Sequence, residues 1–111
     1  MLEVQENGNN GYRFLVKSRE GHLLLESVGF STLSEVRACL SEVRGHLGSP
    51  ACFERRTNHR GQFQFALKSL NGRVLGFSGP YRSEAGMENG IKNTLARLRE
   101  SGPSEGKPIQ G

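Results

Sequence analysis

The chain has no aspartate and no tryptophan, and only two cysteines in 111 residues. Without aspartate it lacks a common ligand of hard cations and the usual orienting member of a nucleophilic triad. Cys39 and Cys52 fall in an expected helix and an expected strand, without the close paired spacing of a zinc knuckle or a redox motif, so both are expected to be reduced core thiols. Long apolar runs are missing too. Leu23-Leu24-Leu25 is among the longest, far below the ~20 residues that cross a bilayer, so a soluble protein with no membrane role is expected. The opening segment Met1–Glu6 alternates and is already acidic, unlike a secretory leader, which favours the cytoplasm.

The remaining composition suits one domain. A chain of this length can bury one core but not two. The net charge of +4 is unevenly distributed. Residues 1–50 carry five Lys/Arg against six Glu, a balance of −1, whereas residues 51–111 carry ten against five, a balance of +5.

Sliding the sequence by 51 positions aligns it on itself without gaps. Nine residues coincide: Glu3/Glu54, Asn7/Asn58, Phe14/Phe65, Lys17/Lys68, Ser18/Ser69, Gly21/Gly72, Leu24/Leu75, Ser27/Ser78 and Leu47/Leu98. Within each copy the apolar period changes from 2 to 3.6, which marks strands followed by a helix. Tyr12, Phe14 and Val16 alternate, as do Phe63, Phe65 and Leu67, with Gln62, Gln64, Ala66 and Lys68 on the opposite face. Glu20-Gly21 and Asn71-Gly72 read as hairpin turns, and the second pair predicts positive φ at both positions. The strands are expected at 2–6, 11–18, 22–28, 52–57, 62–69 and 73–78.

Thr32-x-x-Glu35 is a capping box, and Leu33, Val36, Leu40, Val43 and Leu47 form one helical stripe behind it. In the second copy Ser83 caps, and Met87, Ile91, Leu95 and Leu98 form the stripe. The reading is an α+β domain of tandem β-β-β-α repeats related by a pseudo-twofold axis. Repeat one covers 1–49 and repeat two 50–100. Residues 101–111, aperiodic and rich in Gly and Pro, are expected to be a disordered tail.

Phe53-Glu54, Gly61-Gln62-Phe63-Gln64-Phe65-Ala66-Leu67-Lys68, Asn71-Gly72-Arg73-Val74-Leu75, Ser78, Tyr81-x-Ser83 and Gly90-Ile91 resemble the YegP-like family of small bacterial proteins, often tandem repeats. The resemblance extends over both copies and implies the same two-copy fold but no chemistry. The first copy departs from it: Glu20 replaces the turn Asn, and Ala38, Cys39 and Leu40 stand where Asn89, Gly90 and Ile91 do. An activity carried by that helical segment would reside in copy two.

Arg55, Arg56, His59 and Arg60 put four basic or titratable side chains into six positions, where the first copy has the uncharged Val4, Gln5, Gly8 and Asn9. With Lys68, Arg73 and Arg82 they are the candidate basic binding patch, either a solubilising surface or a phosphate contact whose binding would weaken with salt. The aromatics Tyr12, Phe14, Phe63 and Phe65 are assigned to the core rather than to a base-stacking platform. Phe30 and Tyr81 lie at equivalent positions just before the helices, where either could be partly exposed. Gly86 and Gly90 each cost a helix about 1 kcal/mol against Ala, which implies a close backbone approach or a groove. Gly76–Pro80 lacks the Gly-Lys-Ser/Thr ending of a phosphate loop. His22, His46 and His59 have no metal-ligand spacing, His46 suits a helix C-terminus, and Glu84/Glu88 read as a solvated face.

No catalytic residue, cofactor or metal is expected. The function expected is a non-enzymatic interaction or scaffold module with a protein partner. The alternative is weak, sequence-independent nucleic-acid binding through Arg55, Arg56, Arg60, Lys68, Arg73 and Arg82. A monomer is favoured, because two joined copies can cover one another, although an exposed edge strand would allow a dimer.

Overall fold

The computed structural model describes residues 2–7 and 11–100. The expected tail at 101–111, and Gly8 and Asn9 of the first hairpin, lie outside the described residues. The elements run β1 (Leu2–Asn7), β2 (Gly11–Lys17), β3 (Leu23–Ser27), α1 (Leu33–Arg44), a short 3-10 turn (Pro50–Cys52), β4 (Phe53–Thr57), β5 (Phe63–Lys68), β6 (Val74–Phe77) and α2 (Glu84–Glu100). The succession strand-strand-strand-helix therefore occurs twice. All six strands join one antiparallel sheet in the order β1-β2-β3-β6-β5-β4. The last strand of each half, β3 or β6, meets its counterpart at the centre through Glu26↔Phe77 and Ser27↔Gly76.

The strand alternation decides which face the helices cover. Phe14, Val16, Leu25, Phe65 and Leu67 point to one side, where they meet Val36, Leu40 and Val43 of α1 and Met87, Ile91 and Leu98 of α2 in a single core. Helix α2 packs on β2, β3 and β5, so it crosses onto strands of the other half. Arg19 of the first half and Arg97 of α2 both hold the Glu100 carboxylate at 2.9 Å. Hydrogen bonds from Arg97, then Arg19, keep that carboxyl at about 2, well below its ordinary value. On the other side, His46 sets Nε2 3.2 Å from the Lys68 carbonyl and Nδ1 2.8 Å from the Glu42 carbonyl.

Several sequence identities acquire physical reasons. The Phe14 N–H donates to Ser27 Oγ at 2.9 Å, and the Phe65 N–H to Ser78 Oγ at 3.0 Å. Each hydroxyl donates its own proton to the next carbonyl, Val28 or Gly79. A buried backbone donor on a core phenylalanine is thus satisfied by a side chain where the ladder is irregular. Ser18 and Ser69 accept the N–H of His22 and Arg73 across the hairpins.

The turns differ from the expected Asn-Gly type. The Ser69 carbonyl accepts from the Gly72 N–H at 3.0 Å, so Leu70 and Asn71 are the central pair and only the glycine that follows, at φ 88°, needs left-handed space. This is the three-residue hairpin loop ended by an αL glycine. The Ser18–Gly21 turn repeats it, with Gly21 at φ 91°, which is why Glu20 can replace the asparagine.

Other expectations need correction. Cys52 lies in the 3-10 turn rather than a strand. Both cysteines are free and buried, and burial is the main cause that pushes each thiol to about 11. Helix α1 ends at Arg44 with Gly45 as its cap, so Leu47 is buried from a turn and not from the helical stripe. His46 therefore bridges the two halves from beyond the helix end. Phe30 is buried, whereas Tyr81 is partly exposed. Glu88 is not a free surface carboxylate: Arg55 binds it through two nitrogens at 2.5 and 2.9 Å.

The close approach explains Gly90. A Cβ there would lie 2.2 Å from the Tyr81 hydroxyl oxygen and 2.6 Å from its Cζ. In the matching place of the first half Phe30 has no hydroxyl, and Cys39 is accommodated. Gly90→Ala should therefore cost about 1–3 kcal/mol despite the better helix propensity of alanine. In a Tyr81→Phe background the penalty should fall by about 1 kcal/mol. Urea midpoints of the four proteins in that cycle measure the coupling, and strictly additive midpoints would refute it.

Candidate functional site

The cationic residues singled out in the sequence are divided by the fold. Strand β5 runs about 17 Å from Phe63 to Lys68, at roughly 3.4 Å per residue. His59, Arg60 and Arg82 lie at its first end, since Tyr81 bridges to Phe63 and residues 58–61 form the adjoining hairpin. Arg73 lies at the other end, in the β5–β6 turn. Arg55 turns to the helix side and is bound to Glu88. Hydrogen bonding to Arg55 holds the Glu88 carboxyl below its usual range, and Glu88 raises Arg55 in return.

Arg56 and Lys68 project from the helix-free face and share Glu54, at 2.8 and 3.6 Å. The Arg56 hydrogen bond is the main cause lowering the Glu54 carboxyl. His59, Arg60 and Arg82 are exposed and make no ion pair among the described residues. Arg55, Arg56, His59, Arg60 and Arg82 thus start from one end of the second half, Lys68 joins Arg56 alone through Glu54, and Arg73 lies at the opposite end.

The helix-free face has a feature that the charge pattern did not point to. Strand register aligns Glu3, Leu15, Glu26, Phe77, Ala66 and Glu54 in one row across all six strands. Directly opposed residues point to the same side of a sheet, so Phe77 stands near the middle of the open face, 46% exposed. The Arg56 guanidinium lies 5.8 Å from its ring centroid, within cation–π range. Beside it on the first half is Arg13, ion-paired to Glu26, and farther out, at the β1 edge, Lys17 lies 3.2 Å from Glu3. The first half is closed by ion pairs where the second half offers an aromatic ring, because the position that matches Phe77 is Glu26.

A signal for Phe77 was present in the sequence. The 51-residue shift sets it against Glu26, an exchange of apolar for charged that a core position would not tolerate, and its neighbour Ala66 already belonged to the outward set. The sequence reads 73–78 as a strand, but the glycines of Gly76–Pro80 interrupt the alternation that would assign Phe77 to a face. Among the described residues no group of His, Cys or Glu is arranged to hold a metal ion. No helix there is long and apolar enough to cross a membrane.

The structure thus defines a class: an α+β protein with two helices on one face of a six-stranded antiparallel sheet and the other face open. A family model described as a domain of unknown function (DUF1508) matches residues 58–94. The UPF0339 protein in the ptx operon 5′ region of Stutzerimonas stutzeri is 30% identical over 92 residues, which cover 83% of each chain. UPF0339 protein YegP of Escherichia coli strain K12 is 27% identical over 95 residues, 86% of each chain. The chain belongs to the UPF0339, or YegP-like, family. The solution NMR structure of Escherichia coli yegP superposes with a TM-score of 0.79 at 26% identity, over 87% of this chain and 84% of that one. UPF0339 protein SO3888 of Shewanella oneidensis shares the fold, with a TM-score of 0.82 at 23% identity over 88% and 83%.

Proposed function

We propose that this protein is a non-enzymatic interaction module: two copies of one β-β-β-α unit, fused about a pseudo-twofold axis, that present the open sheet face of the second copy to a protein partner. The observation that carries the reading is Phe77. A half-exposed aromatic ring in the middle of a sheet face contributes little to the fold, whereas large aromatics framed by arginine are the usual anchors of protein interfaces. Arg13, Arg56 and Lys68 around it supply a polar rim, and their carboxylate partners Glu26 and Glu54 make that rim nearly neutral, as a protein contact prefers.

NMR spectra of the isotope-labelled protein in cell lysate test this. Backbone signals of Arg56, Ala66 and Phe77 should broaden in lysate more than those of α1, and Phe77→Ala should abolish the effect while leaving the dispersed spectrum intact. Broadening centred on the helices, or unaffected by Phe77→Ala, would refute it.

The second reading is sequence-independent binding of single-stranded nucleic acid, favoured by the same ring lying 5.8 Å from Arg56, which starts from the end where Arg60 and Arg82 make no ion pair among the described residues. Stacking on one aromatic is worth about 1–3 kcal/mol per base. Fluorescence anisotropy with a labelled oligothymidine should then show binding near 50 mM salt that weakens steeply toward 200 mM and is lost in Phe77→Ala. The three carboxylates on that face, Glu3, Glu26 and Glu54, place this reading second.

A further inference from the structure

Two clefts lie beside the helices in matching places, each between the helix of one half and the hairpin of the other. One, of about 370 Å³, has Glu35, Cys39 and Glu42 of α1 facing Ser69, Asn71 and Arg73. Its carboxylates and its asparagine are already engaged. Glu35 accepts from the backbone of Ser31 and Thr32, Glu42 accepts from Leu70 N–H, and Asn71 accepts from Ser69 Oγ and Arg73 N–H. The other, of about 400 Å³, has Asn89 and Asn93 of α2 facing Leu23 and Leu24, with Tyr81 at its floor.

In this second cleft Ser18 and Glu20 are engaged within their own hairpin, but the carboxamides of Asn89 and Asn93 and the Tyr81 hydroxyl have no hydrogen-bond partner among the described residues. Mid-helix asparagine is poorer than alanine by several tenths of a kcal/mol, and here neither caps a terminus nor ties down a loop. Neither side chain is tied to the rest of the fold, Asn89 being exposed and Asn93 half-buried, so both carboxamides are open to a ligand.

Their spacing suits a specific ligand. Four helical residues rise about 6 Å, close to the 6.6–6.8 Å or so between alternate residues of an extended chain. Each carboxamide offers one acceptor and a donor pair, the complement of one peptide unit. Leu23, 50% exposed at the rim, supplies an apolar contact for one side chain. Glu20 and His22 border the cleft, and the Glu20 carboxylate disfavours an acidic ligand.

We propose that this cleft binds an extended, non-acidic peptide segment of a partner protein, its alternate backbone amides paired with Asn89 and Asn93. The site lies on the helix side of the sheet, so it stands or falls separately from the Phe77 face. Asn89→Ala/Asn93→Ala should fold at least as well as the natural chain, since alanine is the better helix former.

The test is selection of a random twelve-residue peptide library displayed on phage against the full protein. Enriched peptides, made synthetically, should bind at least tenfold more weakly to the Asn89→Ala/Asn93→Ala protein and equally well to Phe77→Ala, and should shift the side-chain amide signals of Asn89 and Asn93. Failure to enrich any peptide, equal binding to the double variant, or shifts confined to the Phe77 face would each overturn the proposal.

Discussion

Valine in place of Gly76 should cost about 3 kcal/mol, the upper end for overpacking a well-filled interior. A Cβ at this position would stand 2.9 Å from the Glu26 carbonyl oxygen, 3.1 Å from Leu25 Cδ2 and 3.2 Å from Ser27 Cα. Two of these atoms are backbone, so relief requires β3 and β6 to move apart, and that pairing is the one seam between the halves of the sheet. The matching residue of the first half is Leu25, which is fully buried. The centre thus has room for one branched side chain and not for two. At roughly 4–8 °C per kcal/mol for a domain of this size, the melting temperature should fall by about 12–24 °C. Gly76→Ala should lose less, about 1–2 kcal/mol. Thermal melts and urea titrations measure both, and a valine variant with an unchanged midpoint would show that the seam is not as tight as described.

Phe65→Ala should be as damaging, at about 3–5 kcal/mol. The ring is 1% exposed. It packs edge-on to Phe53 with centroids 5.7 Å apart and stacks on Tyr81 at 6.2 Å. It also lies beneath α2, 3.3 Å from where a Gly90 Cβ would be. Removing it leaves a cavity between sheet and helix, and total stabilities of small domains are only about 5–15 kcal/mol. Phe77→Ala is the informative contrast. That ring lies on the opposite face and is half exposed, so its loss should cost under about 1 kcal/mol. Urea unfolding of the two variants side by side checks the assignment of the faces, and similar losses in both would contradict it.

The local structure was legible because it follows from short-range rules. Alternation of Phe63, Phe65 and Leu67 fits only a half-buried strand, and the Thr32 and Glu35 pair closes the first helix turn in both directions, at 3.1 and 3.2 Å. The cost of Gly90 in a helix announced a close approach, which proved to be the Tyr81 hydroxyl. The candidate site was less legible. Arg55 and Arg56 are adjacent, yet strand pleating sends one to Glu88 on the helix side and the other to Phe77 on the open side. Proximity along the chain therefore overstated the basic cluster; comparison of the two copies marked Asn89, but Asn93 and Phe77 were missed, because their significance depends on what lies opposite them.

The 51-residue self-match and the change of apolar period specify three strands and a helix in each half, because hydrogen-bonded periods of 2 and 3.6 are properties of a contiguous segment. That β3 pairs with β6, that α2 lies on strands of the other half, and that Phe77 faces solvent follow from contacts between residues about fifty positions apart. Those contacts are selected by how two apolar faces close over one another, and a one-dimensional pattern does not contain the choice of partner.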